Sequence, residues 1–152
     1  MRLCSWSILC ALIAGGIVIS GCSALPKNPE VSVAGVTVTS VSLSSLSLDV
    51  ALLVNNPNSF GITLKSLSFD VYYQDGNDWV YLSHGEKTGI VINPGENVVT
   101  VPVTVSSAEL FRSLASLVTT GNLTLQIRGT AFPDFYGIAP KIPFTYTTTI
   151  SP

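Results

Sequence analysis

The chain has 152 residues, 47% hydrophobic and 11% charged, with a formal net charge of −2. These totals fit one domain with an ample core and exclude a disordered chain. No run of Lys or Arg occurs, so the footprint that binds nucleic acid, or that holds an anionic lipid surface by charge, is missing.

The first element reads as a leader, not as part of the fold. Arg2 supplies a thin positive start, and Ile8 to Ile19 form an apolar stretch of 12 residues. That length suits a secretory signal and falls short of the ~20 residues needed to span a bilayer. The stretch ends in Ile19-Ser20-Gly21-Cys22, which resembles the lipobox of bacterial and archaeal lipoproteins. The resemblance implies that residues 1–21 are a signal peptide, cleaved between Gly21 and Cys22, and that the Cys22 sulfur carries lipid. An ordinary signal followed by a chance cysteine, or an uncleaved anchor, is the competing reading. Cys4 and Cys10 lie within the leader, so Cys22 is left alone and no disulfide framework exists to account for it. Each buried lipid methylene is worth ~0.8 kcal/mol, so one acyl chain holds weakly and two hold firmly. The expected location is the cell envelope, with the protein anchored to the membrane through Cys22 and facing away from the cytoplasm.

Residues 22–30 then read as the lipidated cysteine and a short tether, which Pro26 and Pro29 keep extended. From residue 31 to 152 the dominant period is two. Val36 and Val38 alternate with Thr37 and Thr39, and Leu46, Leu48, Val50, Leu52 and Val54 with Ser47, Asp49, Ala51 and Leu53. The pattern returns at Leu67–Tyr73, Val99–Val105, Leu123–Gly129 and Ile142–Thr148. Such alternation marks strands with one face in a core and one in water. Strands separated by Gly, Pro and Asn clusters predict an all-β antiparallel sandwich of the immunoglobulin or fibronectin-III kind.

One segment departs from this period. Ser106-Ser107-Ala108-Glu109 forms a capping box, and Leu110, Phe111, Leu114, Leu117 and Val118 follow at helical spacing, with Gly121 suited to the C-terminal cap. A single helix over about Ser107–Thr119 is predicted, set between late strands and capping an open end of the sandwich.

The run Leu48–Val54 stops at Asn55-Asn56-Pro57-Asn58. Pro57 lacks a ladder donor, and Asn56 and Asn58 bond readily to nearby backbone, so the cluster is a strand-ending corner at the rim. A corner of this kind, then "GIVINPGENVVTVPVTVSS", the helix, "LTLQIRGTAF" and a closing Ile142-Pro143-Phe144 strand resemble the WHy domain (water stress and hypersensitive response) of the type 2 late embryogenesis abundant proteins. The resemblance spans most of the chain after the tether. It implies an immunoglobulin-like sandwich with one helix and a non-enzymatic role in desiccation or water stress.

The residue types agree with that expectation of no catalysis. His84 is the only histidine and reads as a polar residue in a loop or at a strand end, with Gly85 and Lys87 as turn material. Asp75 and Asp78 depart from the calcium-loop spacing, and Asp75-Gly76 reads first as a hairpin turn. No Cys/His set for zinc and no glycine-rich phosphate loop is present, so no cofactor or metal is expected. Asn122-Leu123-Thr124 matches a glycosylation acceptor, but a place after the helix cap suffices for Asn122. Phe132, Phe135 and Tyr136 lie between the last two strands, either as a contact surface or as cover over the core, and Trp79 and Tyr81 carry the same ambiguity. A second functional reading follows: an immunoglobulin-like envelope module that binds a protein, lipid or glycan through the rim loops Asn55–Phe60 and Phe132–Ile138, with Asn56, Pro57, Asn58, Phe132, Phe135 and Tyr136 as the candidate contacts.

Overall fold

Alternation in sequence becomes alternation in burial. The computed structural model describes residues 25–42, 44–106, 112, 115, 119 and 121–150. Along β2 (Ser45–Asn56) every second residue from Leu46 to Asn56 is buried, and along β5 (Gly95–Ser106) Val99, Val101, Val103 and Val105 are. The other strands among the described residues are β1 (Glu30–Val41), β3 (Ile62–Asp75), β4 (Asp78–Ile92), β6 (Leu123–Asp134) and β7 (Ile142–Ile150). They form two antiparallel sheets, β1-β2-β5 and β4-β3-β6-β7. The inner faces meet in one core that includes Leu48, Val50, Leu52 and Val54 from the first sheet and Leu64, Leu67, Phe69, Val71 and Ile127 from the second. The predicted β-sandwich is therefore observed.

A row of alternating size crosses the inner face of the four-stranded sheet. Gly85 pairs with Phe69, Phe69 with Gly129, and Gly129 with Phe144. A Cβ on Gly85 would meet the Phe69 ring, and one on Gly129 would meet the Phe144 ring, Phe69 Cβ and the Ser68 carbonyl. Each glycine thus leaves the space that a neighbouring aromatic ring fills.

This row corrects the reading of β4. His84, Gly85 and Lys87 belong to neither a loop nor a turn. They lie inside a strand of 15 residues. The period-two signal fails there for physical reasons. The register slips between Val71 and Tyr72, Gly89 takes φ 63°, and only Leu82, Gly85 and Ile92 of the strand are buried. β4 is an edge strand, and exposed His84, Glu86 and Lys87 blunt its free side. It also closes the sandwich laterally, since the Ser83 hydroxyl donates to Thr104 O (2.7 Å) and Lys87 Nζ to Thr100 O (3.3 Å) on β5.

The Asp-Gly hairpin is present, with Asp75 paired to Asp78 and Gly76 at φ 61°. The turn at Asn93-Pro94 carries the chain from one sheet to the other, held by Asn97 Nδ2 donating to Asn93 O (2.8 Å). Of the predicted helix, Arg112, Ala115 and Thr119 are described and helical, and Thr119 Oγ1 donates to Ala115 O at 2.8 Å. Gly121 takes φ 72°, the left-handed cap conformation. Ser106, the first residue of the predicted capping box, ends β5; the rest of that box and the apolar stripe lie outside the described residues, as do residues 1–24 and hence Gly21 and Cys22.

Candidate functional site

The strand register sorts the loops into two ends. Residues 57–61, the Asn93-Pro94 turn and residues 135–141 lie at the end where β1 begins, beside the segment that leads in from Cys22. The Asp75–Asp78 hairpin, the end of β5 and the start of β6 lie at the opposite end, about 40 Å away for strands of this length.

At the near end the Asn-Pro-Asn corner is a latch. Asn56 is 1% exposed. Its Nδ2 donates to Phe60 O (2.8 Å), while its Oδ1 accepts from the Asn58 backbone N–H (3.1 Å) and from Asn58 Nδ2 (2.9 Å). Asn58 passes the arrangement on. Lys27 N–H donates to Asn58 Oδ1 (2.8 Å), and Asn58 Nδ2 donates to Lys27 O (2.8 Å). A side-chain amide here imitates one step of a strand ladder and holds the incoming segment to the corner. Two backbone groups that would otherwise face only water are satisfied, and Pro29 beyond them is buried.

The residues between β6 and β7 divide. Phe132 and Pro133 belong to β6 itself, so Phe132 is a half-buried strand residue, not part of a loop. Phe135 is core cover at 8% exposure. Only Tyr136 projects, 95% exposed, with Ile138 at 73%. Phe135 and Ile138 exchange both backbone hydrogen bonds (2.8 and 3.0 Å) around a two-residue turn, in which Tyr136 takes φ 53° and Gly137 φ 92°. Both central residues of such a turn need positive φ, which ordinarily selects Asn-Gly or Asp-Gly. Tyrosine there costs about 1 kcal/mol. Asp134 steadies the turn by accepting from Gly137 N–H at 2.8 Å.

Shallow grooves connect these parts. One of ≈ 480 Å³ runs between Leu25-Pro26 and Tyr136, Ile138 and Pro140. Another of ≈ 570 Å³ lies between Leu25–Lys27 and Pro57–Phe60, and a third joins Phe60–Thr63 to Phe135 and Tyr136. Phe60 and Ile138 are the ends of the two loops expected to bind, whereas Leu25 belongs to no expected site, since an isolated apolar residue in a tether carries no periodic signal.

Away from this end, His84 Nδ1 lies 2.8 Å from Asp70 Oδ1, with the side chains 49% and 42% exposed. The pair stands on the outer face of the four-stranded sheet beside Arg128, which stacks 4.7 Å over the Tyr72 ring, itself edge-on to Tyr81. Trp79 is half-buried near the hairpin. Screening limits a pair this exposed to a contribution of about 0–1 kcal/mol. His84→Ala is therefore expected to change unfolding stability by less than about 1 kcal/mol, measurable by denaturant titration. Among the described residues no three His, Cys, Asp or Glu side chains gather where they could hold a metal ion, and no helix is long and apolar enough to cross a membrane.

Comparison with known proteins places this architecture. The family model described as late embryogenesis abundant protein, LEA_2, matches residues 51–147, more than half of the chain. The chain belongs to this family. The match runs from within β2 to within β7, so this late embryogenesis abundant protein keeps the Asn-Pro-Asn corner inside the matched region and the latched Lys27 outside it. It is 37% identical over 91 residues to an uncharacterized protein of Methanocaldococcus jannaschii, covering 60% of this chain and 51% of that one. The chain thus spans about half the length of that relative. Two solution structures share the fold. One, from Arabidopsis thaliana, is 17% identical with a TM-score of 0.63 over 83% of each chain. The other, a protein described as late embryogenesis abundant, is 18% identical with a TM-score of 0.57 over 87% of this chain and 75% of that one.

Proposed function

We propose that this chain is a WHy-type envelope lipoprotein without enzymatic activity. Lipid on Cys22 holds it at the membrane, and its role is in tolerance of water loss. The observation that carries the tethering is the latch between Lys27 and Asn58. Lys27 stands five residues after Cys22, so an extended chain puts the corner within about 18 Å of the lipidated sulfur. A clamp on the last residues of a tether resists a pull on that tether, which is the load that membrane anchorage applies.

The water-stress role draws support from the family and from the outer faces. Exposed Thr145, Thr147 and Thr149 on β7 and Thr100 and Thr104 on β5 present hydroxyls with little charge. Thr149 bonds across to Thr124 (3.1 Å), and Gln126 donates to Thr147 (3.1 Å). Hydroxyls both donate and accept, so such a face exchanges water for sugar or headgroup oxygens at small cost.

Cys22→Ser is expected to abolish incorporation of a clickable fatty acid and to move the protein out of the membrane fraction. Retention without label would leave an uncleaved anchor as the explanation. A deletion strain is expected to survive drying less well than its parent, with rescue by the wild-type chain and not by Cys22→Ser. Equal survival of deletion strain and parent would remove the stress role.

A further inference from the structure

We propose that the near end of the sandwich is itself a membrane-seating surface. In this arrangement Leu25, Phe60, Tyr136 and Ile138 enter the interfacial layer of the phospholipid bilayer that takes the lipid on Cys22. The proposal builds on the lipoprotein reading and goes beyond it: the domain does not hang free on its tether but rests on the bilayer in one orientation.

The argument begins with reach. Leu25 follows Cys22 by three residues, and even a fully extended chain covers at most about 11 Å over that span. The latch at Lys27 then prevents the segment from paying out further. The headgroup layer on each side of the hydrocarbon is only about 5–8 Å deep. A surface held this close to the anchor meets that layer whenever the domain tilts towards it.

The chemistry of the surface fits the interface. Leu25 is 79% exposed, Ile138 73% and Tyr136 95%, and the grooves they line join them with Phe60 into one patch. Aliphatic residues exposed to this degree gain by leaving water. Tyrosine prefers the lipid–water boundary, its ring towards the chains and its hydroxyl towards water. The charged residues at this end, Lys27 and Lys141 against Glu30, Glu96 and Asp134, give no positive excess. Seating therefore rests on apolar contact and not on anionic lipid. Among the described residues of the opposite end, the Asp75-Gly76-Asn77-Asp78 turn is polar and exposed throughout.

Tyr136 adds an independent indication. Its turn would be better served by asparagine, yet it places a bulky ring at the tip, in the left-handed region, where it touches almost nothing of its own protein. Backbone strain borne for a side chain without internal contacts points outward, to whatever that side chain meets.

The test uses the full chain, processed by cells, extracted and reconstituted into phosphatidylcholine vesicles whose acyl chains carry doxyl quenchers. A bimane label is placed through Ile138→Cys or, at the far end, through Asn77→Cys, and mass spectrometry reads the state of Cys22 in each sample. The label at position 138 is expected to be quenched about threefold or more than that at 77, because the two ends stand about 40 Å apart. Adding Tyr136→Asn is expected to halve the quenching at 138 while the lipid on Cys22 stays and the unfolding temperature holds or rises. A merely structural role for Tyr136 predicts the reverse. Equal quenching at 138 and 77 on a lipidated chain overturns the seating and leaves the lipoprotein reading intact. A free thiol on Cys22, which would itself take the label, overturns the lipoprotein reading and with it the seating that depends on a nearby anchor. Energy transfer between labels on neighbouring copies, with no doxyl quenching, overturns the proposal in favour of a contact between two copies of this chain.

Discussion

Gly129→Ala is expected to destabilise the sandwich by about 3 kcal/mol or more, lowering the unfolding temperature by roughly 10 °C. The added Cβ would run into the Phe144 ring and would stand 2.7 Å from both Phe69 Cβ and the Ser68 carbonyl. Rings can turn. The Ser68 carbonyl belongs to β3, the central partner of both β4 and β6, and moving it disturbs two ladders together. Overpacking typically costs about 1–3 kcal/mol, and a clash with fixed backbone belongs at the upper end. Total stabilities are about 5–15 kcal/mol, so the loss is a large share. Two further variants isolate the cause. Gly35→Ala, with nothing within 4 Å of its added carbon, is expected to hold or slightly raise stability. Combining Gly129→Ala with Phe144→Leu is expected to recover part of the loss, because the ring contact is relieved while the Ser68 contact remains. Full recovery would assign the clash to the ring alone, and no loss in the single variant would mean that the two strands separate more easily than this register allows.

The same row shows why some of the fold was legible in sequence and some was not. β2, β5, β6 and β7 each have at least one side facing water along most of their length, and their alternation of apolar and polar residues follows directly. β4 hides from such a reading because its inward positions include Gly85, chosen for the ring opposite it on β3. A glycine that makes room for a distant phenylalanine looks, in sequence, like a turn. The aromatic cluster near residue 135 was ambiguous for a related reason. Phe135 and Tyr136 are neighbours in the chain, but the turn sends one into the core and the other to 95% exposure. Composition cannot separate them. The turn geometry that does so depends on Phe135 pairing with Ile138. The Asn-Pro-Asn corner could be read as a corner, since each residue's local chemistry suffices, whereas its hold on Lys27 spans 31 positions of sequence.

That corner carries the second large expected effect. Asn56→Leu is expected to cost about 3 kcal/mol, read as a drop in the denaturant midpoint at unchanged slope. Leucine has nearly the shape of asparagine but returns none of its bonds. The Phe60 carbonyl loses its donor, and the Asn58 backbone and side-chain amides lose their acceptor, at a site only 1% exposed. Each buried group left unpaired costs about 1–3 kcal/mol, and water reaching the more open Asn58 offsets part of the sum. Asn56→Asp separates donor from acceptor. The new carboxylate keeps the acceptor facing Asn58 but opposes the Phe60 carbonyl, so burial and that carbonyl raise its folded pKa above the unfolded value of about 3.9. A raised carboxyl pKa means that the unfolded state loses its proton first as pH increases. The penalty is therefore absent below about pH 3.9 and grows as pH rises towards the folded value, beyond which it is full. The variant should be weakened at pH 7 and should approach the wild-type chain in acid, where the protonated acid can donate to Phe60 O in place of the amide. A penalty that did not depend on pH would place the fault in packing and not in the lost donor. Asn58→Ala completes the series at a smaller cost of about 1–2 kcal/mol, with the Lys27 amide exchanging hydrogen faster while the core strands keep their protection. Selective loss at Lys27 is what distinguishes a latch on the tether from a general weakening of the sandwich.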